Sequence, residues 1–355
     1  MWDFSWLERR WPGAGYEDWD LALDELVERG YNAVRIDAYP HLLDAGPEAS
    51  WDLQVLWTQQ DWGSPAPIRI QVWPALPDFI RACQRRGIRV ALSSWFRQDA
   101  QDVRMRIHTA ADMARIWIRT LTLLQQEGLD QNLLYVDLCN EWPGIHWAPF
   151  YRHGPDELAW GSWPNPRSMA WMRESIALVR AAFPTLPLTY SFNPEAPHST
   201  QQDLSFLDLF EPHIWMSSAR GNAFNTKIGY GFELKDPTGY NNLQKNGERE
   251  YRDNPTYWQQ GLITWIHAHA ENSRAHGRPL ITTECWGLVD YKDWPHLDWG
   301  WIKELCELGT LTASATGRWA AIATSNFCGP QFRGMWRDIA WHRRLTTAIK
   351  TGRLP

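Results

Sequence analysis

Two short segments of this sequence bring carboxylates to the ends of apolar runs. One reads Leu133-Leu134-Tyr135-Val136-Asp137-Leu138-Cys139-Asn140-Glu141-Trp142. The other reads Pro279-Leu280-Ile281-Thr282-Thr283-Glu284-Cys285-Trp286-Gly287. In each, a β-type run ends in a glutamate followed, at once or one residue later, by tryptophan. Two carboxylates at the carboxyl ends of two separate strands are what hydrolysis of a glycosidic bond requires, one as acid and base, the other as nucleophile. A glutamate that donates a proton near neutral pH needs a raised pKa. Aromatic surroundings and a second carboxylate both raise it, and Trp142 and Glu284 are placed to do so for Glu141. Asn140, directly before it, is placed to bond a sugar hydroxyl beside the anomeric carbon. Glu284 as a carboxylate is suited to attack that carbon, with Thr282 and Thr283 orienting it. Taken singly, each motif also fits a polar cap or an ion pair at a strand end. Their conjunction carries the weight.

Tryptophan is the compositional outlier, at 25 of 355 residues. An indole offers a flat apolar face and one N–H donor, which suits the C–H face and hydroxyl rim of a sugar. Most of these rings are expected in the core. Those at strand ends or loops are candidates for substrate contact: Trp95, Trp142, Trp147, Trp160, Trp163, Trp215, Trp286 and Trp294.

The elements that must position these groups alternate along the chain. Strands are expected at residues 2–7, 32–39, 88–95, 133–138, 186–192, 210–215, 280–283 and 319–324. Helices are expected at 16–29, 72–86, 110–127, 167–183, 255–276, 297–308 and 333–350, with 204–209 a short helical turn or linker. Repeated β–α alternation implies a parallel sheet. Eight units over this length predict an α/β fold, a (β/α)8 TIM barrel forming a single domain over residues 1–355. No G-x-G-x-x-G or P-loop supports a doubly wound alternative. Three long segments follow strands: 42–70, 144–165 and 217–254, the last without periodicity. Long loops after strands build a substrate cleft on one face of a barrel.

Composition excludes other classes. A net charge of −6 and the absence of a basic run give no reason to expect nucleic acid as partner. No apolar stretch is long enough for a membrane span. Met1 to Glu8 carries no basic-then-apolar leader, so a cytoplasmic location is expected. The five cysteines are scattered and odd in number, which favours free thiols. His267-Ala268-His269-Ala270-Glu271 imitates a metal set, but residues two apart on a helix point away from each other. These are expected to be surface histidines. No metal and no cofactor is expected.

With these motifs in place, the chain resembles the large clan of retaining glycoside hydrolases that have a (β/α)8 barrel and catalytic glutamates on strands four and seven. It is similar in outline to cellulase-like and β-glycosidase-like members over nearly its whole length. The resemblance implies Glu141 as acid/base, Asn140 as hydroxyl binder and Glu284 as nucleophile. It also implies Arg35, on strand two, as the buried arginine that holds the nucleophile ionised. His213 matches a histidine at the end of strand six. Members commonly carry Tyr two residues later, bonded to the nucleophile. Here Trp215 stands in that place, and Tyr230 or Tyr190 is the candidate to replace the hydroxyl. The end of strand eight, Thr324-Ser325-Asn326-Phe327, lacks the usual Trp.

Asp37 is placed to bind hydroxyls of the non-reducing sugar or to pair with a nearby arginine. Trp95, Arg97 and Asn193 lie near strand ends, as pocket lining or as caps. Arg69, Arg97, Arg220 and Lys227 lie near the expected mouth, either to meet an acidic sugar or simply solvated. The expected activity is a retaining β-glycosidase acting on a small oligosaccharide or glycoside. A non-catalytic sugar-binding barrel and a transglycosidase with the same residues are the alternatives.

Overall fold

The computed structural model describes residues 2–56, 61–152, 163–193, 202–231, 237–289, 291, 293 and 297–354. Eight parallel strand positions follow one another in chain order. They are β1 (Trp2–Asp3), β2 (Ala33–Asp37), β3 (Arg89–Ser93), β4 (Leu133–Asp137) and β5 (Leu188–Thr189 with Ser191–Phe192). The last three are β6 (Glu211–Pro212 with Ile214–Trp215), β7 (Leu280–Thr282 with Cys285–Trp286) and β8 (Trp319–Ile322). Each pairs with the next, from Trp2 opposite Arg35 at one end to Leu280 opposite Trp319 at the other. The fold is a (β/α)8 TIM barrel. The Gln331 side chain, beyond β8, donates to the Asp3 carboxylate on β1 and ties the two ends of the ladder.

Helices cover the outside: α1 (Trp19–Glu28), α2 (Ala75–Gln84), α3 (Ala110–Gln126), α4 (Pro166–Ala182), α5 (Pro255–His276), α6 (Gly300–Ala315) and α7 (Ile339–Thr351). α3 starts at a capping box in which Thr109 and Asp112 bond each other's backbone N–H groups, worth about 1 kcal/mol. It buries Met113, Trp117, Leu121 and Leu124 at the three- and four-residue spacing of one helix face. The Trp117 indole then donates to the Leu138 carbonyl at 2.9 Å. The Trp142 indole donates to Ser168 of α4 at 2.9 Å and stacks on Trp171. Asn140 and Glu141 are thus held between two points anchored to neighbouring helices.

Alternation along the strands builds the barrel interior in layers. Ala91, Tyr135, Leu209 and Ile281 form an apolar floor. Two residues further along the same strands stand Ser93, Asp137, Glu211 and Thr283, which are polar and surround Arg35. Two beyond Glu211 comes His213.

Residues 204–209 hold a hydrogen-bonded turn, Leu204 to Leu207, the short turn or linker expected there. Several elements differ from expectation. The segment 217–254 is no aperiodic loop: it holds helices Ala219–Ile228 and Thr238–Asp253. The second buries Tyr240, Leu243, Gly247 and Tyr251 on one face, a stripe that its Asn, Gly and Lys content conceals. The segment 42–70 contributes to a helix, Pro40–Ala45, and an antiparallel pair, Ser50–Leu53 with Ile68–Gln71. The first strand is two residues long and gives way to helix Ser5–Glu8, because the Asp3 carboxylate turns back to accept the Ser5 N–H. The expected last helix is split, with Asp338 capping α7 through the Trp341 N–H.

Candidate active site

Arg35 is the hub. Its guanidinium is buried and donates to Asp137, to Ser93 at 3.0 Å, to Asn140 Oδ1 at 2.7 Å and to Ser191 at 3.2 Å. The other arm reaches Thr283 at 3.2 Å and Glu284 at 3.3 Å. Its Nε stands 3.4 Å from Glu211, and its plane lies 4.7 Å from the Trp95 ring. One cation therefore serves three carboxylates. Burial opposes its charge, but Glu211, Asp137 and Glu284 together push its pKa above the ordinary value.

Glu141 follows β4 and takes a left-handed backbone, φ 46°. For a residue with a Cβ this is uncommon, and it persists only where the surroundings impose it. Here the Glu141 N–H donates to Ser191 Oγ at 3.0 Å, and the Trp142 N–H to the Ser191 carbonyl at 3.0 Å. The strain aims the carboxylate at His213, whose Nδ1 lies 2.8 Å from Oε1. The same Nδ1 lies 3.4 Å from Glu284 Oε2. One ligand-type atom each of Glu141, His213 and Glu284 all lie within 4.8 Å of one another. Spacing along the sequence does not reveal this trio, because it comes from three strands. Arg35, already 3.3 Å from Glu284, supplies fixed positive charge, so the set fits a shared proton better than a cation.

The two carboxyls are shifted in opposite directions. Burial raises the Glu141 pKa, but hydrogen bonds from His213 and from Trp147 win and hold it below the usual value. Burial, with repulsion from Glu141, pushes Glu284 up to about 8 against the pull of His213 and Arg35. Arg35 contacts the nucleophile candidate and pulls its pKa down, though burial outweighs that pull. Burial pulls His213 down, and the two glutamates more than restore it, so its pKa is raised. Burial also raises Glu211, whose Oε1 accepts from Thr283 at 2.5 Å.

The remaining candidates divide. Asn140 is in the site, its Oδ1 on Arg35 and its buried Nδ2 without a partner. Trp95 lines the hub. Asn193 is half-buried at the end of β5. Asp37 is fully buried and accepts from the Tyr39 and Trp95 backbone N–H groups at 2.7 and 3.1 Å. That makes it a wall-building side chain, and burial pushes its pKa up to about 7. Arg97 forms a buried fork with Glu8 at 2.8 and 2.9 Å. Trp142 packs among Tyr151, Trp171 and Tyr190 against α4. Trp286 donates to the Ala323 carbonyl at 3.1 Å and lies against Gly309 of α6, where an added Cβ would meet its ring at 2.5 Å. These two indoles belong to the core. Trp215 is buried and its N–H has no hydrogen-bond partner, so it does not reproduce a hydroxyl on the nucleophile. The Tyr190 hydroxyl goes to Ser175 at 2.7 Å instead, and Tyr230 packs near Tyr240. Trp160 and Trp294 lie outside the described residues. His267 is exposed as expected, but His269 is buried. The five cysteines are free and buried.

Sequence reasoning passed over Asp137, Ser191, Ser93 and Glu211. Their signal is the two-residue alternation that places them on the inward face of strands already recognised.

The barrel and a paired-carboxylate centre define a glycoside hydrolase-like protein. The chain belongs to the cellulase-like family, described as sugar-binding cellulase-like, which matches residues 1–350. It is 52% identical to a glycoside hydrolase candidate from Parabacteroides distasonis ATCC 8503, with a TM-score of 0.99 over 100% of this chain and 93% of that one. More distant barrels share the fold. An endo-β-1,4-mannanase from Thermotoga petrophila matches at TM-score 0.55 and 11% identity, over 97% of this chain and 75% of that one. An endocellulase from Pyrococcus horikoshii, solved with cellotetraose, matches at TM-score 0.50 and 13% identity, over 96% and 91%. No curated protein matches.

Proposed function

We propose that this protein is a retaining β-glycosidase that works on a terminal sugar of a small glycoside. The observation that carries the proposal is the close approach of Glu141 and Glu284, each with one carboxylate oxygen within 4.8 Å of the other's and of a His213 ring nitrogen. Retention uses carboxyl groups about 5–5.5 Å apart, whereas inversion needs about 6.5–9.5 Å to admit water. Both glutamates are nearly buried, at 9% and 3% exposure. That favours a pocket over the open cleft that a polymer needs.

In the first step Glu141 protonates the glycosidic oxygen while Glu284 attacks the anomeric carbon. The C–O bond to the leaving group breaks and a glycosyl ester forms. In the second, Glu141 takes a proton from water, the water oxygen attacks the anomeric carbon, and Glu284 leaves as a carboxylate. The first step needs the proton on Glu141 and Glu284 ionised. His213, within 2.8 and 3.4 Å of the two carboxylates, is placed to move it. It passes its Nδ1 proton to Glu141 and accepts one from Glu284, which leaves Glu141 acidic and Glu284 ionised. Asn140 Nδ2 is the free donor for the hydroxyl next to the anomeric carbon. The nearby barrels solved with sugar ligands support a carbohydrate partner.

A sugar-binding role without catalysis is the second reading, and the unpartnered Trp215 indole favours it. A panel of aryl β- and α-glycosides, assayed with wild type, Glu141→Gln and Glu284→Gln, separates the two. Hydrolysis of a β-glycoside that falls at least about 10³-fold in Glu284→Gln supports the enzyme. Sugar binding without turnover of any member supports the second reading.

A further inference from the structure

The Glu141 carboxylate has a second donor that no catalytic scheme above uses. Its Oε2 accepts from the Trp147 indole N–H at 3.0 Å. The contact is built by a tight turn. The Gly144 N–H bonds the Glu141 carbonyl at 2.7 Å, and the Trp147 and Ala148 N–H groups bond the Gly144 carbonyl at 3.1 and 2.7 Å. Six residues thus bring the chain back over its own carboxylate. The ring is 8% exposed, so the bond is shielded from water and the turn has little freedom to release it.

An indole N–H donates but neither accepts nor ionises. His213, on the other oxygen, can give its proton away. Trp147 cannot. It stabilises the charged form of Glu141 and leaves the proton inventory of the site unchanged. The groups that face Glu141 from other elements are His213 of β6, Arg35 of β2 and Glu284 beyond β7, with the Cys139 thiol beside it on the chain. His213 and Arg35 also serve Glu284. Trp147 donates to Glu141, and so biases that carboxylate against the other.

We infer that Trp147 is a positioning residue that sets the proton affinity of Glu141 through its indole N–H and fixes the direction of Oε2. It rests on the glycosidase reading only for its kinetic readout. The lowered Glu141 pKa agrees with it. The consequence is a division of labour in which His213 moves the proton and Trp147 decides how readily Glu141 gives it up.

The test replaces the donor and keeps the ring. Trp147→Phe is one variant, and 3-benzothienylalanine at position 147, which exchanges only the N–H for sulfur, is the second. The limb of the kcat/KM profile that titrates Glu141 reports its proton affinity. Loss of one hydrogen bond to a charged group is expected to move that limb upward by about one pH unit. The change in rate is expected to be larger for glycosides with poor leaving groups than for 2,4-dinitrophenyl glycosides, whose departure needs no acid. An unmoved limb in the benzothienyl variant, or equal losses on both leaving-group classes, would overturn the inference. If the wild type turns over no glycoside, the glycosidase reading falls instead. Carbon-13 carboxyl NMR, with Glu141 assigned by Glu141→Gln, then decides the inference alone. A rise of the Glu141 pKa in the benzothienyl variant upholds it, and no rise refutes it.

Discussion

Arg35 shows how one buried charge organises a site. It cannot leave without stranding Asp137 and Glu211, which are both fully buried. Removing one partner of such a pair typically costs about 3–5 kcal/mol, because the other charge stays behind in low dielectric. Arg35→Met is therefore expected to lower the unfolding midpoint sharply, as well as to abolish activity. Glu284→Gln removes a carboxyl that burial already penalises, and is expected to unfold no earlier than wild type. Thermal unfolding of the two variants side by side checks this. Equal stability of Arg35→Met and wild type would contradict the hub. The same residue bears on the raised pKa of Glu284. A guanidinium shared among three carboxylates has too little left to overcome the desolvation of Glu284, and the sequence shows the arginine but not its other partners.

At the scale of elements, the long helix α5 carries a second consequence of burial. His269 lies beneath Trp265 and Phe192, and burial lowers its pKa to about 3 from 6.5. The folded chain refuses a proton there that the unfolded chain accepts below pH 6.5. This contribution to stability is present above that pH and is lost as pH falls toward 3, at about 1.4 kcal/mol per unit for one group. His41 behaves alike, with its pKa also lowered to about 3. His269→Leu is expected to reduce the loss of urea stability between pH 6.5 and pH 5 by about 2 kcal/mol. An unchanged pH dependence would mean that His269 is solvated. The element also shows where sequence reading stops. Residues two apart on a helix do point apart, so His267 and His269 form no metal pair. Which of them is buried depends on what packs against α5, and that is tertiary information.

For the whole molecule, the order of strands and helices was legible because an α/β barrel repeats one pattern, a short apolar run and then an amphipathic helix. The glutamates were legible for the same reason, since they follow those runs, whereas Arg35 lies in the middle of β2 and was legible through the family resemblance. The segment 217–254 was not, because its polar second helix buries just a narrow stripe, with Tyr240, Leu243, Gly247 and Tyr251 on it. Nor was the fate of the tryptophans. Trp142 lies just beyond β4 and Trp286 at the end of β7, yet they turn outward to Ser168 and to the Ala323 carbonyl. Trp147, six residues past the strand-four glutamate, returns to touch it. Position in sequence says that an indole is near a strand end, and only the turn geometry says which way it faces.

The central claim is that Glu284 forms a glycosyl ester. A panel of 2-deoxy-2-fluoro-β-glycosides with dinitrophenyl leaving groups slows the second step more than the first and lets that ester accumulate. Mass spectrometry of the intact protein and its peptides is expected to show one added fluorosugar, on the peptide containing Glu284. Turnover of the parent β-glycoside with no adduct from its fluorinated counterpart, or an adduct on another residue, would contradict the account.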